Sequence, residues 1–319
     1  MAEIAAVLQQ AVKRREAEGT PGGTAARVLA QGPGWSVTDV VCTAGPEDRP
    51  FEEQHRNVCI AVVAAGSFQY RSHAGRVLLA PGSLLLGNAR QAYECGHEHA
   101  KGDRCISFSY APEYFERLTA DEGTSMFRVA ALPPVRAMSP IVARARAGVA
   151  GNHSSEAAWE ELGVRLAVET LRLANDDECR RGEVLPSAEA RVTRVLRMID
   201  ESPDAEHSLA RMAEEARLSP YHFLRTFEAV AGLTPHQYVM RMRLRRAAMR
   251  LVQEQASVLD IAFDCGFGDI SNFNRSFRAE FGMSPRAFRM GECGRNGHIR
   301  RGGRGDAANG GSARIPGRW

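Results

Sequence analysis

The chain lacks the features of a membrane-bound, secreted or catalytic protein. No apolar run approaches the roughly 18 residues that a membrane-spanning helix needs. Glu3 interrupts the apolar face of the N-terminal segment, which argues against a signal peptide. No acid–base pair, nucleophile elbow or phosphate-binding loop stands out, so an enzyme is the less favoured class. We therefore expect a cytoplasmic protein with no membrane partner and no catalytic residues.

Cysteine and lysine are also scarce. The seven cysteines are an odd number without regular spacing, so we predict free thiols in a reducing compartment and no disulfide framework. The only lysines are Lys13 and Lys101. We attribute this strong preference for arginine to a GC-rich genome and not to a binding mechanism.

Charge is unevenly distributed along a chain that is long enough for two domains. Its 319 residues are 44% hydrophobic and 25% charged, which suits a globular protein. The formal charge of +3 is the balance of −3 in residues 1–186, +2 in residues 187–290 and +4 in residues 291–319. The positive charge lies at the C-terminal end, where it favours a partner that carries phosphates.

One pattern of residues occurs twice in the C-terminal part, about fifty positions apart. Each copy has two phenylalanines four residues apart, an arginine between them and a later glycine. These residues are Phe223, Arg225, Phe227 and Gly232 in the first copy, and Phe273, Arg275, Phe277 and Gly282 in the second. Upstream the offset is 49, because Ala213 matches Ala262. The second turn is therefore expected to be one residue longer.

Each copy is predicted to form a helix-turn-helix, at about residues 208–232 and 257–282. Phenylalanines at i and i+4 form one apolar face of the second helix. A second stripe is left to face a partner, and it consists of Tyr221, Leu224 and Arg225 in the first copy and Ser271, Asn274 and Arg275 in the second. Each copy closes with Gly, an apolar residue, a hydroxyl residue and Pro, which ends one helix and begins the next.

Residues 235–252, between the copies, contain no helix breaker and five arginines. These are Arg241, Arg243, Arg245, Arg246 and Arg250. A helix of about 17 residues spans about 25 Å. It would fix the separation between the second helices of the two copies, so that they could enter successive turns of the major groove, which are about 34 Å apart. We expect its arginines to contact phosphates. A single helix-turn-helix pattern is often a plain helical hairpin, and an arginine-rich helix is often a solvated face. The duplication with intact spacing nevertheless favours DNA binding.

The second copy also matches a family pattern. The matching residues are Ile261, Ala262, Gly266, Phe267, Phe273, Arg275, Phe277, Gly282 and Pro285. On these residues the region 208–289, about a quarter of the chain, resembles the DNA-binding domain of AraC/XylS-type bacterial transcription regulators. The resemblance implies base-reading roles for Tyr221, Leu224, Arg225, Ile270, Ser271, Asn272, Asn274 and Arg275. It further implies an activator that works on double-stranded promoter DNA with RNA polymerase.

Two positions depart from the family pattern. Arg217 stands where the first turn often has glycine, at a cost of about 1 kcal/mol if the residue is left-handed. Leu224 stands where a polar base-reading residue is common. We therefore expect the first copy to contact a thymine methyl group there, instead of a hydrogen-bonding group.

Residues 23–135 contain short strand-like segments separated by turns. We predict strands at Trp35–Cys42, Val58–Ala65, Ser67–Ser72, Arg76–Ala80, Ser83–Leu86, Gln91–Gly96 and Arg104–Tyr110. Many short strands indicate a sandwich or small barrel, so the fold class is α+β. The order, with a Pro-Gly turn before an apolar strand, resembles the cupin-like sensor domains that accompany this DNA-binding domain. That resemblance implies a small-molecule effector bound in the barrel.

The remaining segments connect or flank these domains. We predict a helix and linker at 1–22, and a helical connector at 136–187 that ends in an interdomain linker at 176–187. The family resemblance implies that the connector helices, at 141–150 and 154–175, form a homodimer contact or a relay to the DNA-binding half; the alternative is that they cover the barrel. The DNA-binding domain is placed at 188–290. The Gly- and Arg-rich tail at 291–319 is expected to be disordered.

The sharpest chemical cluster in the N-terminal part is Cys95, His97 and His99, with Cys105 on the next strand. In an extended segment, residues two positions apart lie on one face, so these three can bind one metal ion. Gly96 indicates a turn, which argues against this. Three hypotheses stay open: a metal ion, a redox switch between Cys95 and Cys105, and ordinary packing, for which no cofactor is expected.

The sequence supports two classes of function. The favoured one is a sequence-specific transcription regulator modulated by a small effector. The alternative is a metal-dependent cupin enzyme tethered to DNA, or a regulator that responds to metal or oxidation through the Cys95 cluster. A non-specific architectural DNA binder is disfavoured by the modest charge of residues 187–290.

Overall fold

The structure is a computed structural model that describes residues 2–122, 124–151, 155–175 and 186–290. The predicted tail at 291–319 and most of the predicted linker at 176–187 lie outside these residues. The strands are β1 (Thr24–Gly32), β2 (Trp35–Cys42), β3 (Phe51–Gln54), β4 (Val58–Gly66), β5 (Phe68–Ser72), β6 (Gly75–Leu79), β7 (Leu84–Gly87), β8 (Ala92–Gly96), β9 (Asp103–Tyr110) and β10 (Ala131–Leu132). The helices are α1 (Ala2–Glu18), α2 (Pro112–Leu118), α3 (Ser139–Gly151), α4 (Glu156–Ala174), α5 (Pro186–Glu201), α6 (Leu209–Glu215), α7 (Pro220–Ala231), α8 (Pro235–Gln253), α9 (Val258–Asp264) and α10 (Ile270–Phe281). The chain thus combines a β-rich N-terminal half with a helical C-terminal region.

The strands form two antiparallel sheets whose apolar faces meet. One sheet has the order β1-β2-β9-β4-β7-β10, and the other has the order β3-β8-β5-β6. Strand β4 lies inside the larger sheet and is buried on both faces. Ala61 and Val63 pack between the sheets with Phe68 and Tyr70 of β5, whereas Val62 belongs to the core on the other side.

Helices α1 and α4 cover the outer face of the larger sheet. Leu8 of α1 belongs to the same core as the outward-facing strand residues. Trp159 of α4 packs on Phe108 with 6.0 Å between the ring centroids. The Tyr110 hydroxyl donates to the carbonyl of Gly163 at 2.8 Å. Of the two interpretations of the connector, α4 therefore covers the sheet, and a dimer contact stays a prediction.

All seven predicted strands are present, and three further strands escape the sequence patterns. The segment Trp35–Cys42 matches β2 residue for residue. Strand β1 pairs with β2 at the sheet edge and is exposed along most of its length, so it shows no apolar alternation. Strand β3 has the mostly polar sequence FEEQ, and β10 has only two residues. Each missed strand buries too little for a pattern to reveal it.

Capping residues set the ends of the C-terminal helices. The N-cap side chains of α6, α7, α9 and α10 each accept a backbone hydrogen bond from their helix, and they are Ser208, Ser219, Ser257 and Asp269. Helices α7 and α10 end at Gly232 and Gly282, which have φ of 77° and 75°. Thr234 and Gln237 form a capping box at the start of α8. The turn before α10 is one residue longer than the turn before α7, as the change in offset predicted.

The C-terminal helices pack directly against the N-terminal half. Met212 of α6 and Phe223 of α7 share one core with the larger sheet. Phe273 and Phe277 of α10 belong to a separate core, to which Ala143 of α3 also contributes. The two helix pairs are therefore anchored differently.

Candidate nucleic-acid interface

Helix α7 buries one stripe of side chains and exposes another. Phe223 and Phe227 are fully buried, and their ring centroids are 5.5 Å apart. Tyr221 is 65% exposed, and the exposed Arg225 guanidinium lies 6.0 Å from its ring centroid. Leu224 is half-buried. The predicted stripe thus offers a phenol and a guanidinium to a partner.

Helix α10 repeats this arrangement with different polar groups. Phe273 and Phe277 are fully buried, whereas Ser271, Asn274 and Arg275 are exposed. These three side chains offer a hydroxyl, an amide and a guanidinium, which are groups able to bond base edges and phosphates.

Two further residues for which the resemblance implied base reading are half-buried instead of exposed. Ile270 packs against the core of the second helix pair. The backbone N–H of Asn272 donates to the Asp269 side chain at 2.8 Å. The Asn272 side-chain oxygen accepts a hydrogen bond from Arg275 at 3.4 Å. In this geometry Ile270 anchors the helix start and Asn272 helps to orient Arg275.

Arg278 extends the exposed stripe of α10 and is absent from the sequence prediction. It is exposed and lies four residues after Asn274, so it projects from the same face one turn later. Arg286, in the helical segment 285–290, is exposed as well. Two additional guanidinium groups suit contacts with phosphates. The continued i, i+4 spacing was the available signal for Arg278.

Both helix pairs have a left-handed residue in the turn. Arg217 has φ of 53°, and Gly266 has φ of 85°. A Cβ added at Gly266 would lie 2.7 Å from the carbonyl oxygen of Asp204, so the second turn requires glycine. Arg217 is exposed, and its carbonyl accepts a hydrogen bond from Arg191 at 3.0 Å. Arg217 is therefore left-handed, which meets the condition for the cost stated above for a residue with a side chain.

The arginines of α8 do not form a phosphate-binding face, and that prediction was wrong. Arg243 donates to the backbone carbonyl groups of Pro203, Ala205 and Gly266, at distances of 2.7 to 2.8 Å. Arg245 is 1% exposed, with its guanidinium directed into the protein interior. Both side chains thus join segments of the chain to one another.

The other three arginines of α8 form ion pairs. Arg241 pairs with Glu280 of α10 at 3.5 Å. Arg246 and Arg250 pair with acidic residues of the preceding and following segments, which are Asp204, Glu254 and Asp264. Buried apolar residues surround α8 on several sides, so its guanidinium groups need internal acceptors. The helix holds the two pairs together from the inside.

The structure does not bring Cys95, His97 and His99 together as one set of metal ligands, which corrects that prediction. Among the described residues, the His97 ring lies beside Cys42 and Asp103 instead, and one donor atom from each of these three lies within 4.8 Å of the others. His99 lines a separate cavity. The strand ends at Gly96, so the two-residue alternation assumed for 95–99 stops before His97.

Hydrogen bonding and burial set the protonation of this region. His97 Nε2 lies 2.7 Å from Asp103 Oδ1, and both side chains are buried. Burial alone would lower the pKa of His97, but hydrogen bonds to Asp103 and Cys42 outweigh it and raise the pKa to about 9. Burial raises the pKa of the Cys95 and Cys105 thiols well above the usual range. Thiols that keep their protons are poor targets for oxidants, which weighs against the redox switch between Cys95 and Cys105.

A cavity of about 510 Å³ lies between the N-terminal half and α5. Leu8 of α1 and Leu196 of α5 contribute apolar walls, and Lys13 and Lys101 contribute positive charge. Asp200 of α5 also lines it, and burial raises the pKa of this carboxyl to about 6. The volume falls in the range of small-molecule sites. It lies outside the space between the two sheets, where the sequence led us to expect the effector.

Comparisons with known proteins match the C-terminal region. Residues 212–291 match a family model described as a helix-turn-helix domain. The chain is 37% identical over 112 residues to the HTH-type transcriptional activator RhaS of Escherichia coli strain SE11, which is 35% of this chain and 40% of that protein. The chain thus spans about 40% of the length of this curated relative.

Two solved structures each align with about a third of this chain, at low overall similarity. The DNA-binding domain of AdpA in complex with a target DNA shows 27% identity and a TM-score of 0.32, over 33% of this chain and 95% of that one. An AraC-type DNA-binding regulator from Chromobacterium violaceum shows 24% identity and a TM-score of 0.32, over 34% of this chain and 96% of that one.

Among the residues that the structure describes, no helix combines the length and apolarity needed to span a bilayer.

Proposed function

We propose that this chain, whose C-terminal region is a DNA-binding domain of the AraC/XylS family, regulates transcription by reading promoter DNA with both α7 and α10. The observation that carries this is the matched pair of exposed stripes. Tyr221 and Arg225 on α7 correspond by position to Ser271 and Arg275 on α10. Each stripe projects from a helix whose opposite face is buried, so its side chains are available to base edges.

The two stripes differ in chemistry, and we propose that they read different bases. Asn274 and Arg275 carry the side-chain types that bond adenine and guanine edges in the major groove. Leu224 places an aliphatic group between Tyr221 and Arg225, which suits contact with a thymine methyl. Ser271 completes the α10 stripe. Ile270 and Asn272 act in this proposal by fixing the start of α10.

We further propose that a small effector binds in the cavity between the N-terminal half and α5. An occupant there would touch both α1 and α5, and thereby alter how the sheets hold the C-terminal helices. The N-terminal region, 23–135, acts in this proposal as a cupin-like sensor domain. Residues 136–187 connect it to the DNA-binding domain at 188–290, which contains two helix-turn-helix motifs. Activation through RNA polymerase and a homodimer remain part of the same proposal.

A DNA-binding titration of the full chain tests the placement of the interface. The target is first found by mapping the promoter DNA that the protein occupies in its own cells, beginning with neighbouring genes. We expect Asn274→Ala and Arg275→Ala each to weaken specific binding by roughly 1–3 kcal/mol. The control is Arg165→Ala, which removes an arginine of α4 that is 58% exposed. This variant should bind DNA as the unmodified protein does.

Competition with random-sequence DNA separates specific reading from general attraction to phosphates. A specific reader keeps its target in excess competitor, whereas a protein held by phosphate contacts alone is lost to the competitor, and its binding weakens steeply with salt. Unchanged affinity in both Asn274→Ala and Arg275→Ala would contradict the proposed interface. Equal loss in the Arg165→Ala control would show that charge alone, and not position, determines binding.

A further inference from the structure

Three side chains of different chemistry meet at one end of the sheets. Cys42 is the last residue of β2, and Asp103 is the first residue of β9. The two are direct partners in the antiparallel ladder, so their side chains lie next to each other on one face of the sheet. His97 follows β8 of the other sheet and closes the group from the opposite side. The fold thus builds this group from segments far apart in sequence.

The group is enclosed and held in position. Cys42, His97 and Asp103 are 4%, 4% and 5% exposed. The Phe68 ring stacks on the His97 ring with 5.9 Å between centroids. The Cys105 thiol donates to the second carboxylate oxygen of Asp103 at 3.2 Å. A buried carboxylate and imidazole that are fixed in this way cost free energy to desolvate, and a bound cation offsets that cost.

The donor atoms fit a divalent cation of the zinc type. A thiolate sulfur, an imidazole nitrogen and a carboxylate oxygen are the three ligand types that Zn²⁺ takes in proteins. Bond lengths of about 2.0–2.3 Å place tetrahedral ligand atoms about 3.3–3.7 Å apart, and these three lie within 4.8 Å of one another. The 2.7 Å separation of His97 Nε2 and Asp103 Oδ1 needs to widen only slightly.

We propose that Cys42, His97 and Asp103 bind one Zn²⁺ ion or a cation of the same class, with the fourth position left to water. Binding displaces the protons of the thiol and the imidazole and replaces the hydrogen bond between His97 and Asp103 with two metal–ligand bonds.

The site adjoins the contact with the C-terminal helices. Gly66 of β4 is the partner of Asp103 in the β4–β9 ladder. A Cβ at Gly66 would lie 2.8 Å from Asp103 Cα, so the two backbones are in close contact. The Gly66 backbone N–H donates to Asp200 of α5. A shift of Asp103 on metal binding can therefore be passed to α5 through Gly66. An effect of the metal on DNA binding would rest on the proposed function, whereas metal binding itself does not.

Cobalt titration of the metal-stripped full chain tests the site. Co²⁺ takes zinc ligands and gives a thiolate-to-metal absorption band, which we expect to saturate at one equivalent and to disappear when Zn²⁺ is added. Cys42→Ser should abolish the band, and Asp103→Asn should weaken binding by more than about tenfold. Cys95→Ser is the matched control, because it removes a buried thiol that lies outside the set, and it should keep the band.

A second measurement needs no variant and covers the case in which a substitution prevents folding. Thiols are alkylated in moderate urea with and without one equivalent of Zn²⁺, and the modified peptides are identified by mass spectrometry. We expect zinc to protect Cys42 and to leave Cys95 reactive. Absence of a saturable cobalt band, or zinc protection of Cys95 in place of Cys42, would overturn the proposal. Either result leaves the DNA-binding titration, and so the proposed function, unaffected.

Discussion

Replacement of Arg245 by methionine should stabilise the protein, although arginine is the native residue. Arg245 is 1% exposed, and its Nη1 donates to the Pro81 carbonyl oxygen at 3.3 Å. Within the described part of the chain, its Nε and Nη2 have no hydrogen-bond partner. Burial, together with the nearby positive charge of Arg146, lowers the pKa of Arg245 from 12.5 to about 10. The folded state therefore holds a cation that is poorly compensated.

The size of the effect follows from that pKa. A decrease from 12.5 to about 10 corresponds to about 3 kcal/mol of lost stabilisation of the charged form. Methionine has a similar length and no charge, so Arg245→Met removes this cost at the loss of one long hydrogen bond. Replacing buried charges by apolar groups of similar volume stabilises proteins by up to about 4 kcal/mol. We expect the free energy of unfolding to rise by about 1–3 kcal/mol.

Arg243 provides a control two residues away on the same helix. Its guanidinium donates to three backbone carbonyl groups, which Arg243→Met would leave without that partner. We expect this variant to lose about 2–4 kcal/mol. Urea unfolding of the unmodified protein and both variants, fitted with a common slope, measures both changes. If Arg245→Met loses as much stability as Arg243→Met, the inference of an uncompensated buried charge is wrong.

Two further substitutions test local features of the structure. Arg217→Gly should raise the free energy of unfolding by about 1 kcal/mol, because glycine adopts the left-handed turn without strain. Gly266→Ala should lower it, and thermal unfolding that shows both variants unchanged would contradict the strain argument. Burial lowers the pKa of His55 to about 4, so its contribution to stability is complete above pH 6.5 and is lost as the pH falls to about 4. His55→Gln should reduce the loss of stability between pH 7 and pH 4 by about 2–3 kcal/mol relative to the unmodified protein. His73 is exposed, so His73→Gln serves as the control. An identical pH profile of stability in both variants would refute the assignment to His55.

The sequence predicted the C-terminal region in detail because its signals are local. The hydroxyl residue before Pro, such as Thr234, and the glycines that end α7 and α10 depend on neighbouring residues alone. The spacing of Phe223 and Phe227 recurs at Phe273 and Phe277, and this repetition identified the buried face of each second helix. The exposure of Tyr221, Asn274 and Arg275 agrees with that assignment, and their roles in reading bases remain predictions.

Two features were out of reach of the sequence interpretation for one physical reason, which is long-range contact. Arginines on α8 suggest a solvated face, and only the packing of other segments around the helix reveals that Arg243 and Arg245 point inward. Cys42 and Asp103 are 61 positions apart, so no spacing rule connects them. The pairing of β2 with β9 brings them together, and that register was not available from the sequence.

The division between the two hydrophobic cores predicts how the molecule comes apart. The first helix pair shares its interior with the sheets, so Phe223 should lose its packing in the same cooperative transition as β4. The second pair packs around Phe273 in a different core, which also includes Ala143 of α3 and residues of α8, and a separate core can open independently. Hydrogen exchange should therefore show α10 opening at lower free energy than α7. In the proposed function, α7 would then stay in fixed register with the sheets, and α10 would adjust to the spacing of the target DNA.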